Sequence, residues 1–379
     1  MTKADEVVCR IRHARTTAIG SAPRLARIAA LSSTHASPIL GSLLIYVCRG
    51  TVLVDFEPLY STCRAEEIAR FVTEQYALPL PLSCRMLNRG FNDIYLIVTP
   101  TNERYVFRLS HHRARGVADV RTETDFISHL ARSGVPVAEP VQTRDGAFFV
   151  RGWSPEGVRE GVLFRALGGR APDEGSIADA RANGATLAML HNAAESHRAF
   201  EPLYRLDLDH LLRRPMARVQ EFQSTVGADA NASLESIAAR TAERIETSDN
   251  LTWTHCHGDC HGFNARISDA GNAAFFDFDD GGPGYLAYDL SVFLWAKVSF
   301  GRKLHAMWDA FVDGYRTVRP ITAEDFEAAH AFVIVRHIWL IGEYASRARE
   351  WGSEPIDWIG RELEFLTSWE DGRLNGRLF

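Results

Sequence analysis

The stretch THCHGDCHGFN, Thr254–Asn264, is followed by the acidic cluster FFDFDD, Phe275–Asp280. Between them, Ala265–Ile267 and Ala273–Phe276 have the short apolar character of two β-strands. The polar sequence SDAGN at 268–272 is typical of the turn in a β-hairpin. We therefore predict a hairpin whose two outer ends bring the first stretch and the acidic cluster together.

This hairpin would place Asn264 beside Asp277, and both side chains offer oxygen atoms, which Mg²⁺ prefers as ligands. Asp259 precedes Asn264 in a loop that can bring another carboxylate to the same place. Phosphoryl transfer requires such a group, because one carboxylate orients and deprotonates the acceptor hydroxyl while the metal bridges the nucleotide phosphates. The pattern therefore favours a phosphotransferase.

A zinc site is the alternative interpretation of the same stretch. It contains five possible zinc ligands: His255, Cys256, His257, Cys260 and His261. Structural zinc usually takes two ligand pairs separated by a longer loop, and no second Cys/His pair follows here. Zinc would also leave Asn264 and the acidic cluster unexplained, and the two cysteines are equally suited to be small buried residues.

The motifs resemble those of the aminoglycoside phosphotransferase and choline kinase family, which is related to the protein kinases. The catalytic loop of that family reads H-G-D-x-H-x-x-N, and His257–Asn264 has every fixed residue. Its D-F-x-D metal motif is matched by Asp277–Asp280, and the following turn and helix start are matched by Gly281–Ser291, GGPGYLAYDLS. The resemblance covers residues 53–379.

The resemblance implies ATP and Mg²⁺ as cofactors and gives roles to individual residues. Asp259 resembles the catalytic base or hydroxyl-orienting residue, and Asn264 and Asp277 resemble the Mg²⁺ ligands. His257 and Asp289 resemble residues that support the catalytic loop through hydrogen bonds. Asp279 and Asp280 are each expected either to support the site or to contact substrate.

The nucleotide is expected between two strands and a hinge in the N-terminal half. The segment LNRGFNDIY at Leu87–Tyr95 loosely matches the L-x-x-G-x-x-N-x-x-Y pattern of the family, with the asparagine one place early. Gly90 and Asn92 are therefore nucleotide-binding candidates, although an ordinary hairpin turn would explain the glycine equally well. Leu163–Leu167 is expected to be the hinge between the lobes, with Phe164 and Ala166 beside the adenine.

Arg108, in the strand YVFRL, stands where the family usually has a phosphate-binding lysine. Arginine keeps the positive charge and can bind phosphate through two nitrogens. The alternative is an arginine on an exposed strand face. Glu123 on the following helix is the predicted partner of Arg108, by analogy with the Lys–Glu pair of protein kinases, and Asp119 and Asp125 are its rivals.

The fold expected from these patterns is α+β. Strand-like segments dominate residues 53–167, and helical periodicity dominates residues 168–379. One internal helix is predicted at Val117–Arg132, with an apolar face of Val120, Phe126, Ile127 and Leu130. The resemblance adds that these are the two lobes of a protein-kinase-like fold. They are a small antiparallel-sheet lobe that binds nucleotide and a larger, mainly helical lobe for catalysis and substrate.

Residues 1–52 differ from the rest, since Val7–Val54 contains six arginines and no acidic residue. Three interpretations remain open. The stretch resembles an organelle transit peptide, it suits a disordered basic arm, or translation begins further on, near Val52 or Val54. None of the three carries the chemistry.

Composition excludes several classes of protein. Lys and Arg number 42 against 48 Asp and Glu, a net charge of −6, which does not favour binding to nucleic acid or to an anionic membrane. No segment reaches the ~20 apolar residues that span a bilayer. Six cysteines in 379 residues are too few for a disulfide scaffold, so the sequence predicts a cytoplasmic protein.

The acceptor stays open among three hypotheses. A small hydroxylated molecule, aminoglycoside-like or amino-alcohol-like, is favoured if the acidic segment Pro320–Asp371, with eleven Asp and Glu against four Arg, lines a pocket for a cation. Solvated helix faces are the more common explanation of such a segment, and five aromatic residues that could form a cation box are more often core at helical spacing: Trp339, Tyr344, Trp351, Trp358 and Trp369. The second hypothesis is a Ser/Thr protein kinase of the bacterial stress-response kind, which the G-D-C-H and D-x-D-D patterns resemble. The third is a nucleotide-binding pseudokinase, suggested by Arg108 alone.

Overall fold

The computed structural model of the chain divides into two compact units, Met1–Glu57 and Pro58–Phe379. The structure describes residues 46–48, 51–53, 60–111, 116–198, 205–222, 226–348, 352 and 359–375. Most of the predicted leader, residues 1–52, therefore lies outside the described residues, as do Trp351 and Trp358. In the first unit, β1 (Tyr46–Cys48) pairs with β2 (Thr51–Leu53) as an antiparallel hairpin.

The second unit begins with a helix and an antiparallel sheet. The helix is α1 (Ala65–Gln75), and the five strands are β3 (Ser83–Arg89), β4 (Asn92–Val98), β5 (Arg104–Ser110), β6 (Val150–Ser154) and β7 (Gly157–Arg165). Their order across the sheet is β3-β4-β5-β7-β6. Ile68 and Val72 of α1 lie one helical turn apart and pack into one core with Tyr95 and Phe107 of the sheet.

Helix α2 (Val117–Arg132) joins β5 to β6 and has the apolar face that the sequence predicts. Val120, Phe126, Ile127 and Leu130 are all at most 1% exposed, which confirms that prediction. They belong to a second core, which is shared with the helical part of the chain. This helix therefore links the sheet to the helical part.

The remainder of the described chain is mainly helical. Its helices are α3 (Ile177–Ala194), α4 (Arg214–Gln220), α5 (Ala228–Glu246), α6 (Leu286–Val298), α7 (His305–Arg316), α8 (Ala323–Ser346) and α9 (Ile359–Trp369), with π-helical turns at Asp209–Arg213 and Glu370–Leu374. Every residue of α6 is buried, so this helix is at the centre of the core. Helices α3 and α7 pack so closely that a Cβ on Gly184 or Gly314 would overlap a carbonyl of the other helix. None of the described helices is long and apolar enough to cross a membrane.

Two short antiparallel strand pairs flank the central loops. Strand β8 (Trp253–Cys256) pairs with β11 (Gly282–Tyr285), and β9 (Ala265–Ile267) pairs with β10 (Ala273–Phe275), all antiparallel. The second pair confirms the predicted hairpin, although β10 ends one residue earlier than predicted. The predicted division into lobes at 53–167 and 168–379 remains a proposal, consistent with a sheet that ends at Arg165.

Candidate active site

The loop between β8 and β9 carries Asp259 and is shaped by its neighbours. Gly258 has φ +84°, a left-handed conformation that favours glycine. A Cβ at this position would overlap the carbonyl oxygen of Asp280. The acidic cluster and the loop therefore touch through their backbones, and Asp280 contributes its carbonyl to this contact.

Asp289, in the first turn of α6, binds the backbone of the loop that carries Asp259. It is fully buried. Its carboxylate accepts the backbone N–H groups of His257 (2.7 Å) and Gly258 (2.8 Å) and lies 3.1 Å from Nε2 of His191. Burial alone would raise the pKa of Asp289, but the hydrogen bond from His191 and the other partners outweigh it and lower the pKa. This is the geometry of a residue that fixes the loop.

Asp289→Asn is expected to lower the free energy of unfolding by about 1–3 kcal/mol, because asparagine replaces one acceptor oxygen by a donor and leaves a buried N–H group without its partner. Urea unfolding measures the loss. Asp313→Asn is the matched control, since Asp313 pairs with Arg181 at the surface (3.4 Å) and such substitutions change stability by no more than about 0.5 kcal/mol. A loss below that of the control would contradict the proposed support role.

His257 connects the loop to the acidic cluster. Its Nδ1 accepts the backbone N–H of Asp259 (3.2 Å), and its Nε2 donates to the carbonyl of Phe276 (3.1 Å). Burial lowers the pKa of His257, which agrees with a neutral ring that donates from one nitrogen only. Its ring packs against Phe278, with centroids 4.2 Å apart. These contacts make His257 a support for Asp259.

The Asp259 carboxylate is held through both of its oxygens. Asn264 donates from Nδ2 to Oδ2 (2.8 Å), His261 Nε2 lies 3.6 Å from the same oxygen, and Arg336 donates from Nη2 to Oδ1. The Asp259 side chain is nevertheless 17% exposed. This exposed part of the carboxylate is open to a hydroxyl group from solvent.

The predicted metal ligands lie close to Asp259. The backbone N–H of Phe276 donates to the Asn264 carbonyl (3.1 Å), which brings the Asn264 and Asp277 positions together. Asn264 donates to Asp259 through its amide nitrogen, so the amide oxygen is the atom that it can offer to a cation. Asp277 is exposed. Its pKa is raised, first by desolvation and then by the neighbouring carboxylate of Asp279. Crowded carboxylates with an amide oxygen are a donor set that suits a hard divalent cation.

Asp279 connects the acidic cluster to the sheet. Asn92 on β4 donates from Nδ2 to Oδ2 of Asp279 (2.7 Å). Asn92 was predicted to bind nucleotide, and the structure gives its amide this contact with the acidic cluster. Gly90 is half-buried, and an added Cβ would meet its nearest atom at 3.7 Å, so the turn itself does not require glycine.

Arg108 and Glu123 form a buried two-fold ion pair. Nη1 and Nη2 of Arg108 lie 2.6 and 2.5 Å from the two oxygens of Glu123. Burial alone would lower the pKa of Arg108, but the Glu123 carboxylate outweighs it and raises the pKa, so the arginine is charged. Arg108 is 2% exposed, which excludes the alternative of an exposed strand position. The rivals have other contacts: Asp119 accepts the N–H of Gly116, and Asp125 lies 3.8 Å from His197.

Glu123→Gln is expected to lower the free energy of unfolding by about 3–5 kcal/mol, because it leaves the buried charge of Arg108 without its counter-ion. Glu67→Gln is the control, since Glu67 pairs with Arg70 on the solvent side of α1 (2.6 Å) and an exposed pair contributes about 0–1 kcal/mol. Chemical unfolding of the two variants measures the difference. Equal stabilities would contradict the importance of the buried pair.

The predicted hinge lies at the end of β7. The Phe164 ring lies under Arg108, with its centroid 5.4 Å from the guanidinium carbon. The backbone N–H of Ala166 donates to the Arg104 carbonyl (3.0 Å). The N–H of Ala166 is thus already paired within the protein, and the position of an adenine beside Phe164 and Ala166 remains a prediction.

The zinc interpretation finds no support in the structure. Within the part of the chain that the structure describes, one group of three possible metal ligands converges: His191, Cys256 and Asp289. His191 already bonds to Tyr315 (2.8 Å) and Asp289, and Cys256 donates to the Tyr285 carbonyl (3.4 Å). Cys256 and Cys260 are buried free thiols, as the alternative to zinc predicts.

Two contacts of the candidate site residues were not predicted from the sequence. Arg336, in α8, contacts Asp259 across 77 residues of chain, and His191, in α3, contacts Asp289 across 98 residues. The only signal for Arg336 was a charged residue within the apolar run FVIVRHIWLI. A charge in the middle of a buried helix face usually has a partner, but the sequence does not say which one.

Comparisons with known proteins find matches over most of the chain. The model of the phosphotransferase enzyme family matches residues 83–321. An uncharacterized protein of Deinococcus radiodurans is 38% identical over 325 residues, which cover 83% of this chain and 93% of the relative. A homoserine kinase of Caulobacter vibrioides is 23% identical over 315 residues, which cover 81% of this chain and 94% of the kinase.

Solved structures share the fold. A microcompartment-associated aminopropanol kinase has a TM-score of 0.67 and 23% identity, over 81% of this chain and 98% of that chain. An amicoumacin kinase in complex with AMP-PNP and Ca²⁺ has a TM-score of 0.66 and 17% identity, over 81% and 93%. These similarities confirm the predicted two-lobed, protein-kinase-like architecture.

Proposed function

The chain belongs to the phosphotransferase enzyme family, and we propose that it transfers the γ-phosphate of ATP, with Mg²⁺, to a hydroxyl group of a small molecule. A kinase that acts on hydroxyl groups is the activity common to the family and the named relatives. The observation that carries the finer proposal is the proximity of Asp259, Asn264 and Asp277.

Each of these residues has a physical role in this proposal. Asp259 accepts a hydrogen bond from the acceptor hydroxyl, orients its oxygen toward the phosphate and takes its proton. Asn264 and Asp277 would hold Mg²⁺, which supplies charge stabilisation at the phosphates when bound. Arg108 is buried and binds Glu123 through both Nη atoms, so in this proposal it contributes positive charge beside the acidic cluster, and Glu123 keeps its guanidinium in a fixed orientation.

A small acceptor that carries an amine and a hydroxyl is favoured over a protein. Homoserine and aminopropanol, named in two of the similar kinases, share those two groups. The acidic segment 320–371 gives no independent support, because several of its acids have partners within the protein. These are Asp325 with Thr252, Glu343 with Arg218, Glu362 with His337 and Glu370 with Arg240. The intact Arg108–Glu123 pair argues against a pseudokinase.

The proposal is tested with Mg·ATP and a panel of small acceptors: L-homoserine, 1-amino-2-propanol, ethanolamine and choline. A coupled assay follows ADP release, and mass spectrometry identifies the phosphorylated product. We expect at least one acceptor to yield its phosphate ester in equal amount to ADP. ADP formed without any phosphorylated acceptor, while protein in the same reaction becomes labelled, would contradict a small-molecule acceptor.

A further inference from the structure

Arg336 is a charged side chain at the middle of a buried helix. It is 4% exposed, and its helix α8 is otherwise apolar around it: Val333, Ile334, Val335 and Ile338 are all fully buried. Two buried charges are seldom the most stable arrangement, since well-packed apolar residues of similar volume are often as stable or more so. The position of this arginine therefore calls for an explanation other than core packing.

The guanidinium of Arg336 contacts the catalytic loop at two places. Nη2 donates to Oδ1 of Asp259, and Nη1 lies 3.4 Å from the carbonyl oxygen of Gly258. Nη1 also donates to the hydroxyl of Tyr288 on α6 (3.2 Å). A planar guanidinium can make these contacts together, whereas a lysine ammonium cannot reproduce their geometry. Arg336 thus joins helices α6 and α8 to the catalytic loop at the Asp259 carboxylate.

Two tryptophans fix the plane of the guanidinium. Its carbon lies 4.4 Å from the ring centroid of Trp339 and 5.2 Å from that of Trp295. Trp295 in turn donates from Nε1 to Nδ1 of His337 (3.0 Å), and His337 Nε2 lies 2.6 Å from Glu362 of α9. Arg336 is therefore enclosed by side chains of α6 and of its own helix α8, and α9 is linked to them through His337.

We infer that Arg336 is a positioning residue for phosphoryl transfer, which holds one oxygen of Asp259 so that the carboxylate presents a fixed face to the acceptor hydroxyl. The inference rests on the proposed function. Without Arg336, Asn264 would hold the carboxylate through Oδ2 alone, and the side chain could turn about its last bond. A misplacement of the order of 1 Å can lower a rate by about 100-fold.

Arg336→Ala and Arg336→Lys test the inference. We expect kcat with the fastest acceptor of the panel to fall about 100-fold for the alanine variant and less for the lysine variant, with KM for ATP changed by less than about threefold. Guanidinium chloride at tens of millimolar is expected to restore kcat of the alanine variant about tenfold, because the free ion can enter the space that the side chain leaves.

Arg218→Ala is the matched control. Arg218, in α4, pairs with Glu343, which lies in the same helix as Arg336 but has no contact with Asp259 among those described. It is expected to keep the wild-type kcat and to show no response to guanidinium. Far-UV circular dichroism checks that each variant is folded, and the lysine variant serves if the alanine variant is not.

Two results would overturn the inference. A folded Arg336→Lys or Arg336→Ala protein with wild-type kcat would show that Asp259 needs no such contact. A loss of kcat that guanidinium leaves unchanged would give Arg336 a structural role only. Absence of transfer by the wild-type protein to every acceptor would instead overturn the proposed function, and this is visible before any Arg336 variant is made.

Discussion

Asp259→Ala is expected to lower kcat by about 10²–10⁴-fold, the contribution of a positioned general base. The variant removes the carboxylate that receives the acceptor proton, but it leaves Asn264, Asp277 and Arg108 in place. Binding of Mg·AMP-PNP is therefore expected to stay within about threefold of the wild-type affinity, since no proposed nucleotide contact is lost. Steady-state kinetics and isothermal titration calorimetry measure the two quantities.

Asp269→Ala provides the control, because Asp269 is exposed in the turn of the β9–β10 hairpin, ten residues along the same segment. It should keep the activity of the wild type. If Asp259→Ala transferred phosphate at the wild-type rate, Asp259 would not be the base or the orienting group. If it lost nucleotide binding as well, its effect would be structural.

Asp277→Asn has the second large expected effect. Asparagine keeps the shape of the side chain and tolerates the left-handed backbone that Asp277 adopts, with φ +67°. It lacks the negative charge that a divalent cation binds, and loss of several kcal/mol of charge stabilisation corresponds to a fall in kcat of the order of 10³-fold. Mg²⁺ titration of the residual activity should require higher metal concentrations.

The same variant is expected to lose no stability in the absence of metal. Desolvation and the nearby Asp279 carboxylate raise the pKa of Asp277, so removal of its charge is expected to relieve the repulsion between the two carboxylates. Thermal unfolding with and without Mg²⁺ and AMP-PNP separates the effects. Stabilisation of Asp277→Asn by the metal and nucleotide equal to that of the wild type would contradict a metal-ligand role.

The central chemistry was predictable because its residues are close in sequence. Asp259, Asn264 and Asp277 are joined by one loop and one hairpin, so local strand and turn preferences were enough to bring them together. The pair Arg108–Glu123 followed from a strand and the helix after it, where the resemblance to protein kinases chose among three acidic residues.

Contacts between distant helices were not predictable in the same way. The ion pair of Arg336 with Asp259 depends on how α8 packs against α6, and neither helix pattern contains that information. Likewise, the acidic residues of segment 320–371 indicate a net charge, whereas their partners depend on tertiary packing: Glu343 binds Arg218, and Glu370 binds Arg240. The hinge hydrogen bond of Ala166 also depends on a register that the sequence leaves open.

The most direct test of a small-molecule kinase is transfer of label from γ-labelled ATP into a fractionated cell extract, with the Asp259→Ala protein as the control. We expect label in the small-molecule fraction with the wild-type protein and none with the variant, and mass spectrometry of that fraction would identify the acceptor. Label confined to protein bands would contradict this function and favour the protein-kinase hypothesis. Nucleotide binding with no label in either fraction, in extract supplemented with the acceptor panel, would contradict phosphotransfer itself.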